Sequence, residues 1–132
     1  MAIRSYSFIP NLKLKKNSFG FPPSKFKLEL KDYEKIEKQS QPITIFIEND
    51  KININGSKST SSKIPLNLLE KYINTAFGLP LKSDKIKEYY KINSFAGTRF
   101  VIFNDNTAEL TTYGSGAPIT NSLIGKLIEI KN

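Results

Sequence analysis

The fold is decided by residues 98–113, which read Thr98-Arg99-Phe100-Val101-Ile102-Phe103-Asn104-Asp105-Asn106-Thr107-Ala108-Glu109-Leu110-Thr111-Thr112-Tyr113. Two runs rich in β-branched and aromatic residues enclose three polar residues that favour turns, which is the pattern of a β-hairpin. In the first run Phe100 and Ile102 alternate with Val101 and Phe103. Since neighbouring side chains of a strand point to opposite faces, this run predicts a strand that is covered on both faces.

A second hairpin is predicted upstream, at residues 42–56. Ile43, Ile45 and Ile47 alternate with other residues and therefore share one face of a strand. Asn49-Asp50-Lys51 turns the chain, and residues 52–56 return it with the same alternation.

One amphipathic helix is predicted at about residues 65–77. Pro65 suits a first helical turn, and Gly78 and Pro80 are typical of a helix end. The apolar residues that recur at helical spacing, and that we expect to face the core, are Leu66, Leu69, Ile73, Ala76 and Phe77.

The remaining segments are less regular. We expect a strand or extended arm and then a loop in residues 1–25, a strand at 26–30, a short exposed helix at 32–39, a helical turn capped by Thr120 or Asn121, and a strand at 127–130. Residues 81–93 leave two alternatives open, a short helix at 84–90 or a strand at 89–92. The fold class expected from the whole is mainly β (α+β): a seven-stranded pseudobarrel or small open barrel, forming one domain over residues 1–132.

Composition narrows the function classes. The chain contains neither cysteine nor histidine, which excludes the usual zinc sites, Ser-His-Asp and Cys-His nucleophile systems, and any histidine general base. We therefore expect no enzyme activity, no cofactor, no metal and no small-molecule substrate. The absence of cysteine, of a long apolar run and of a signal-peptide pattern predicts a cytoplasmic protein that does not bind membranes.

The positive charge is uneven. The net charge is +8, and residues 1–28 contain six basic residues and no acidic residue. A one-sided positive field attracts polyanions, so double-stranded DNA is the expected partner; the alternative is that the lysines only keep the surface solvated.

Two loops without acidic residues, 13–18 and 56–63, combine lysines with small polar side chains. They are either DNA-binding arms or two solvated loops. In the first case we expect phosphate contacts from Lys13, Lys15, Lys16, Lys58 and Lys63, with Ser18 in the first loop, and base contacts from Asn17, Ser59, Thr60 and Arg99.

The last third of the chain resembles a known family. The residues that carry the resemblance are Phe95-Ala96-Gly97-Thr98-Arg99-Phe100-Val101-Ile102-Phe103-Asn104-Asp105-Asn106, Gly114, Ala117-Pro118-Ile119-Thr120-Asn121 and Ser122-Leu123-Ile124-Gly125-Lys126-Leu127. They are similar to the C-terminal DNA-recognition domain of the NgoFVII-type restriction endonucleases, but Asn106 stands where a turn glycine is usual and the ending is not rich in arginine. The resemblance implies a seven-stranded pseudobarrel, related to the plant B-three domain and to the effector domain of EcoRII-like enzymes. It further implies that two arms, near residues 13–19 and 56–63, grip the major groove of DNA, as in the recognition module of a restriction-type system.

Three other hypotheses remain open. The chain is an inhibitor from a phage or mobile element that binds a host protein, for which a contiguous exposed apolar patch is expected. Alternatively it is a small metal-dependent nuclease that uses Glu48 and Asp50 beside Lys51. A weaker version of nucleic-acid binding uses aromatic stacking by Phe8, Phe19, Phe21, Tyr89, Tyr90 and Tyr113.

Overall fold

The protein is mainly β, with little helix, in a computed structural model that describes residues 3–23, 27–38, 41–56, 60–73, 79–93, 97–114 and 119–131. The strands are β1 (Arg4–Leu14), β2 (Tyr33–Lys35), β3 (Ile43–Glu48), β4 (Lys51–Ile54), β5 (Thr60–Ile64), β6 (Ile86–Asn93), β7 (Thr98–Phe103), β8 (Thr107–Tyr113) and β9 (Ile119–Ile130). The helical segments are α1 (Leu69–Ile73) and 3-10 turns at Leu30–Asp32, Leu66–Leu68 and Ser83–Lys85.

The nine described strands form one antiparallel, nearly closed barrel-like sheet. Its order is β4-β3-β1-β9-β8-β7-β6-β5, and β2 pairs with the last part of β1. Side-chain hydrogen bonds join the edge strands β4 and β5. The Ser61 hydroxyl accepts from the Ile52 N–H at 2.8 Å and donates to the Ile52 carbonyl at 3.2 Å. The Lys51 ammonium donates to the Ser61 carbonyl at 2.9 Å, so a hydroxyl and an ammonium take the place of a backbone ladder here.

The main core fills the interior of the barrel. Phe8 and Phe100 belong to strands that are not neighbours in the sheet, yet their ring centroids lie 5.6 Å apart in an edge-to-face contact. This contact therefore crosses the interior. The other buried residues of this cluster are Ile45, Ile47, Ile52, Tyr90, Ile92, Ile102, Ala108 and Leu127.

Two smaller clusters cover parts of the outer wall. In the first, Leu69 of α1 packs with Ile64, Tyr89, Val101 and Phe103, which explains why β7 is apolar on both faces. The second consists of Leu14, Leu28, Tyr33 and Ile124.

Both predicted hairpins are confirmed. β7 and β8 pair in the register Phe100 opposite Leu110, and β3 and β4 pair with Ile47 opposite Ile52. The turn between β3 and β4 is Asn49-Asp50, whose φ angles of 52° and 62° fit a two-residue turn that follows the twist of the strands. Asn106 also has a positive φ of 63°, a conformation that asparagine adopts more readily than most residues.

The prediction of seven strands and one helix at 65–77 is too coarse. The described residues contain nine strands. Their helical segment in this region comprises the 3-10 turn Leu66–Leu68 and α1, with residues 74–78 outside the described part. Leu69 is buried as expected, but Leu66 is 53 % exposed. Helical spacing predicts which residues share a face, but not how far along the axis the neighbouring sheet extends.

Three local predictions are corrected by tertiary contacts. Instead of a helix at 32–39, Asp32 ends a 3-10 turn and Tyr33 begins β2, where both residues are buried. Instead of a helical turn at Thr120 or Asn121, one continuous strand, β9, pairs with β1 and β8. In the described part of segment 26–30, Lys27 makes only an isolated bridge to Leu79. For residues 81–93 the strand alternative is correct, and β6 is longer than expected.

A charged cluster lies inside the barrel, at the end where β1 begins. The Arg4 guanidinium binds both Glu88 carboxylate oxygens, at 2.9 and 2.7 Å. The Tyr90 hydroxyl donates to the same carboxylate at 2.7 Å, and the Lys63 ammonium lies 3.5 Å from it. Chiefly because of the hydrogen bond from Arg4, the pKa of Glu88 falls from 4.5 to about 2.

Acid is therefore expected to destabilise the protein partly through Glu88. A carboxylate with a depressed folded-state pKa stabilises the fold above its unfolded value of 4.5, and this stabilisation is lost as the pH falls toward 2. Urea midpoints measured across this range should fall more steeply for the wild type than for Glu88→Gln. Glu48→Gln, which changes an exposed carboxylate near the same end, should keep the wild-type pH dependence. Equal slopes in the Glu88 variant and the wild type would contradict the assignment.

Candidate nucleic-acid interface

The most basic exposed segment begins with the last two residues of β1 and continues beyond the strand. We call residues 13–21 the basic arm. Its lysines, Lys13, Lys15 and Lys16, are all exposed. Lys13 lies 3.8 Å from Glu34, but within the described ranges neither Lys15 nor Lys16 forms an ion pair with an acidic side chain. The Lys15 N–H donates to the Asp32 carbonyl at 2.8 Å, which anchors the base of the arm to the barrel.

The tip of the arm is a closed turn organised by Asn17. The Asn17 side-chain oxygen accepts hydrogen bonds from the backbone N–H groups of Phe19 and Phe21, at 2.9 and 3.0 Å. The Gly20 N–H donates to the Asn17 carbonyl at 2.9 Å, and the Asn17 N–H donates to the Phe21 carbonyl at 2.7 Å. Four-residue turns favour asparagine at the first position and glycine at the fourth, as in Asn17 to Gly20. Gly20 has a positive φ of 83°.

The turn leaves two aromatic rings in solvent. Phe19 is 83 % exposed and Phe21 is 66 % exposed. The stacking hypothesis gave no preference to these two phenylalanines among its six aromatic candidates. The Asn17-x-x-Gly20 spacing is the signal that distinguishes them, because a short closed turn cannot bury the rings of its own tip. The other four candidates, Phe8, Tyr89, Tyr90 and Tyr113, are buried and cannot stack on a ligand.

The second predicted loop, 56–63, is in part a strand, because β5 begins at Thr60 and Ser61 is buried. β1 and β4 are both antiparallel to β3, so they run in the same direction. The end of β4 therefore points toward the end at which the arm emerges, and Thr60, the first residue of β5, is exposed. Lys58 and Ser59 lie outside the described residues.

Two predicted DNA contacts, Lys63 and Arg99, are not available at this interface. Lys63 lies at the opposite mouth of the barrel, 3.5 Å from Glu88 and 3.8 Å from Asp50. Arg99 is only 1 % exposed, and its Nε donates to Glu109 at 2.6 Å, so it cannot reach the edge of a base. The role expected for Arg99 is corrected to a structural one, since an interior guanidinium is stabilised by its carboxylate partner.

Asn17 and Ser18 share the tip but differ in what they can contact. The side-chain oxygen of Asn17 already accepts two backbone hydrogen bonds of the turn, so this residue positions the tip. Ser18 is exposed between Asn17 and Phe19. Beside the arm, a cleft of about 210 Å³ is lined by Lys13, Leu14, Lys16, Glu34 and Asn121.

The acidic residues that the nuclease hypothesis names lie at the β3–β4 hairpin. Asp50 lies in the β3–β4 turn and its nearest described charge is the Lys63 ammonium, at 3.8 Å. Across the described ranges, no group of three or more acidic side chains is arranged to hold a metal ion.

An exposed apolar face lies on the outer wall formed by β3, β1 and β9. Ser5 of β1 stands opposite Phe46 on one side and Ile130 on the other, and Ser7 stands opposite Ile128. Phe46, Ile128 and Ile130 are each between 41 and 48 % exposed. This is the kind of contiguous patch that the protein-inhibitor hypothesis expects. Where the chain is described, none of its helices has the length and apolar character needed to cross a bilayer.

No family model, curated protein or solved structure matches the chain. The resemblance to restriction-endonuclease recognition domains therefore stays a prediction from the sequence, and a functional role must be inferred from the described residues themselves.

Proposed function

We propose that the chain binds double-stranded DNA, with the basic arm contacting backbone phosphates. The observation that carries this proposal is the set of three exposed lysines on one anchored arm, two of which have no acidic partner within the described ranges. Ammonium groups held in this way are available to replace the counterions of a phosphate backbone.

We expect a second contact region at the end of β4, which runs in the same direction as β1, and at the exposed Thr60 that begins β5. Phosphate contacts fix the orientation of a protein on DNA, whereas sequence is read by groups that reach base edges. Ser18 and Thr60 are the described polar residues suited to that task. The role that we propose is the recognition module of a restriction-type system, reading either sequence or base modification, as the family resemblance implies.

Reversing two charges on the arm should abolish most of the affinity. If three lysines each neutralise one phosphate, the slope of log affinity against log salt should be about −3, and the double variant Lys15→Glu/Lys16→Glu should reduce it to about −1. At about 50 mM salt this corresponds to roughly a 200-fold loss of affinity for duplex DNA. Gel-shift titrations at about 50 and 200 mM salt measure both quantities, and the same titrations with single-stranded DNA and RNA test the preference for a duplex.

The matched control reverses two exposed lysines at the opposite end, Lys87→Glu/Lys131→Glu. Both double variants lower the net charge by the same amount, so a general electrostatic effect would weaken them equally. The proposal requires the control to stay within a few-fold of the wild type. Equal weakening of both variants, or no duplex binding at low salt, would each overturn it, as would tighter binding of single strands that persists in Phe19→Ala/Phe21→Ala. With no binding to any nucleic acid, the exposed face around Phe46 becomes the surface to test against protein partners.

A further inference from the structure

We infer that Phe19 and Phe21 stack on bases that are already unstacked, so that the protein prefers duplex DNA containing a bulge or mismatch over a perfect duplex. This inference rests on the proposed function, because the same arm that contacts phosphates carries the two rings. It adds the class of DNA that the site favours.

The first support is the geometry of the tip. The two most exposed phenylalanines of the described chain are two residues apart, on a turn whose hydrogen bonds are made by Asn17 and Gly20 and not by the rings. The turn is therefore organised before any ligand binds. Little backbone freedom of the tip remains to be lost when the rings enter a binding partner, and such pre-organisation favours insertion.

The second support is the chemistry that surrounds the rings. Lys15 and Lys16 lie within a few residues of Phe19, so the partner must offer anionic groups close to flat apolar surfaces. Nucleic acid meets both requirements, since every base has a face for stacking and every nucleotide has a phosphate.

A membrane surface also combines negative charge with apolar material, but the tip suits it less well. The exposed hydroxyl of Ser18 directly precedes Phe19. In hydrocarbon this hydroxyl would lose its hydrogen bonds to water without replacement, whereas phosphate oxygens and base edges can accept and donate such bonds. The observations therefore favour nucleic acid, and vesicle binding becomes an outcome of the test.

The state of the duplex determines how much free energy it costs to bring a ring against a base. In a perfect duplex the bases are stacked on each other, so an aromatic wedge must first separate a base step. A bulge or mismatch lowers that cost, because its bases are already poorly paired or stacked. The free energy that stacking supplies is then available as affinity, and we expect at least about tenfold tighter binding to the defective duplex.

The test compares two duplexes of the same sequence, one perfect and one with a central two-nucleotide bulge carrying the fluorescent base 2-aminopurine. For the wild type we expect tighter binding to the bulged duplex and a change of 2-aminopurine fluorescence on binding. In Phe19→Ala/Phe21→Ala the preference and the fluorescence change should both disappear, while the salt-dependent affinity for the perfect duplex persists. Phe46→Ala/Ile128→Ala, which removes exposed apolar side chains from the barrel wall, should behave as the wild type.

Asn17→Ala provides a further readout, because Asn17 is a positioning residue: it holds the turn that carries the two rings but supplies neither of them. Loss of its side-chain hydrogen bonds should loosen the tip and reduce the bulge preference, with the slope of affinity against salt unchanged. Thermal unfolding of each variant shows whether the barrel is intact.

The outcomes separate this inference from the proposed function. Equal affinity for both duplexes, or a preference that survives Phe19→Ala/Phe21→Ala, overturns the stacking inference and leaves phosphate binding by the arm in place. Absence of any duplex binding overturns both. Binding to vesicles of phosphatidylserine and phosphatidylcholine that requires both phenylalanines, without DNA binding, also overturns both and identifies the tip as a membrane anchor.

Discussion

Gly125→Ala is expected to disrupt the barrel, because strands β1 and β9 approach each other too closely at this residue for any side chain. A Cβ atom on Gly125 would lie 1.9 Å from the Ile9 carbonyl oxygen and 2.6 Å from the Pro10 Cα. Both obstacles are backbone atoms, so no side-chain rotation can relieve the clash. Gly125 pairs with Pro10 beside the irregularity between Pro10 and Leu12, where the register of the two strands shifts.

We expect the substitution to cost about 3 kcal/mol of unfolding free energy or more, the upper range for overpacking. Urea denaturation followed by circular dichroism measures this quantity. Gly20→Ala is the matched control, since a Cβ there would meet no atom within 4 Å and only the positive φ of 83° is unfavourable. Its cost should be about 1–2 kcal/mol. If the two variants are equally stable, the close approach of β1 and β9 is not a constraint on the fold.

Glu109→Ala is expected to have a similarly large effect, because it leaves a buried guanidinium without its carboxylate. Glu109 is 0 % exposed and Arg99 is 1 % exposed. Burial alone would lower the pKa of Arg99, but the charge of Glu109 and its hydrogen bond hold it above its ordinary value, so Arg99 stays charged. Removing one partner of a buried pair typically costs about 3–5 kcal/mol.

The carboxylate also begins a chain of hydrogen bonds on the outer wall of the barrel. The Thr111 hydroxyl donates to Glu109 at 2.7 Å and lies 2.8 Å from the Ser122 hydroxyl. Ser122 lies 2.8 Å from the Tyr33 hydroxyl, so the chain links β8, β9 and β2. Loss of Glu109 should therefore also weaken the attachment of β2, which adds to the cost of the buried, uncompensated charge of Arg99.

A double-mutant cycle distinguishes the pair from general core damage. Arg99→Met/Glu109→Met removes both charges and should be more stable than either single methionine variant, because no unpaired interior charge remains. Glu34→Ala, which breaks the exposed pair with Lys13, should change the unfolding free energy by less than about 1 kcal/mol. Additive effects of the two methionine substitutions would show that Arg99 and Glu109 do not depend on each other.

Arg99 illustrates why a site residue can be misassigned from sequence. As one of two arginines in a basic chain, it fits the chemistry of base recognition. Its actual environment depends on Glu109, ten residues away, and on Tyr89 and Tyr113, which lie beside it on the outer wall. Lys63 was misassigned for the same reason: it follows a run of polar residues, but its carboxylate neighbour, Glu88, comes from another strand.

The sequence by itself determined the mainly β character of the protein, its positive charge and its two predicted hairpins. These features are local: strand alternation and turn preference act over a few residues, so residues 42–56 and 98–113 contain the information needed to predict them. The lysines of the basic arm were predicted for the same reason, because a run of charge without acidic residues is visible in the chain.

Only the tertiary structure decided which polar residues are buried, how many strands the sheet contains and which aromatic rings remain in solvent. Asp32 and Tyr33 look like part of a charged helix until β1 and β9 supply their partners, and Arg4 meets Glu88 across the mouth of the barrel. Alternation shows that two residues share a face, but the energy of burying that face depends on strands that are distant in sequence. Sheet closure brings those strands together, and it leaves Phe19 and Phe21 exposed because the turn that holds them projects beyond the strands that could cover them.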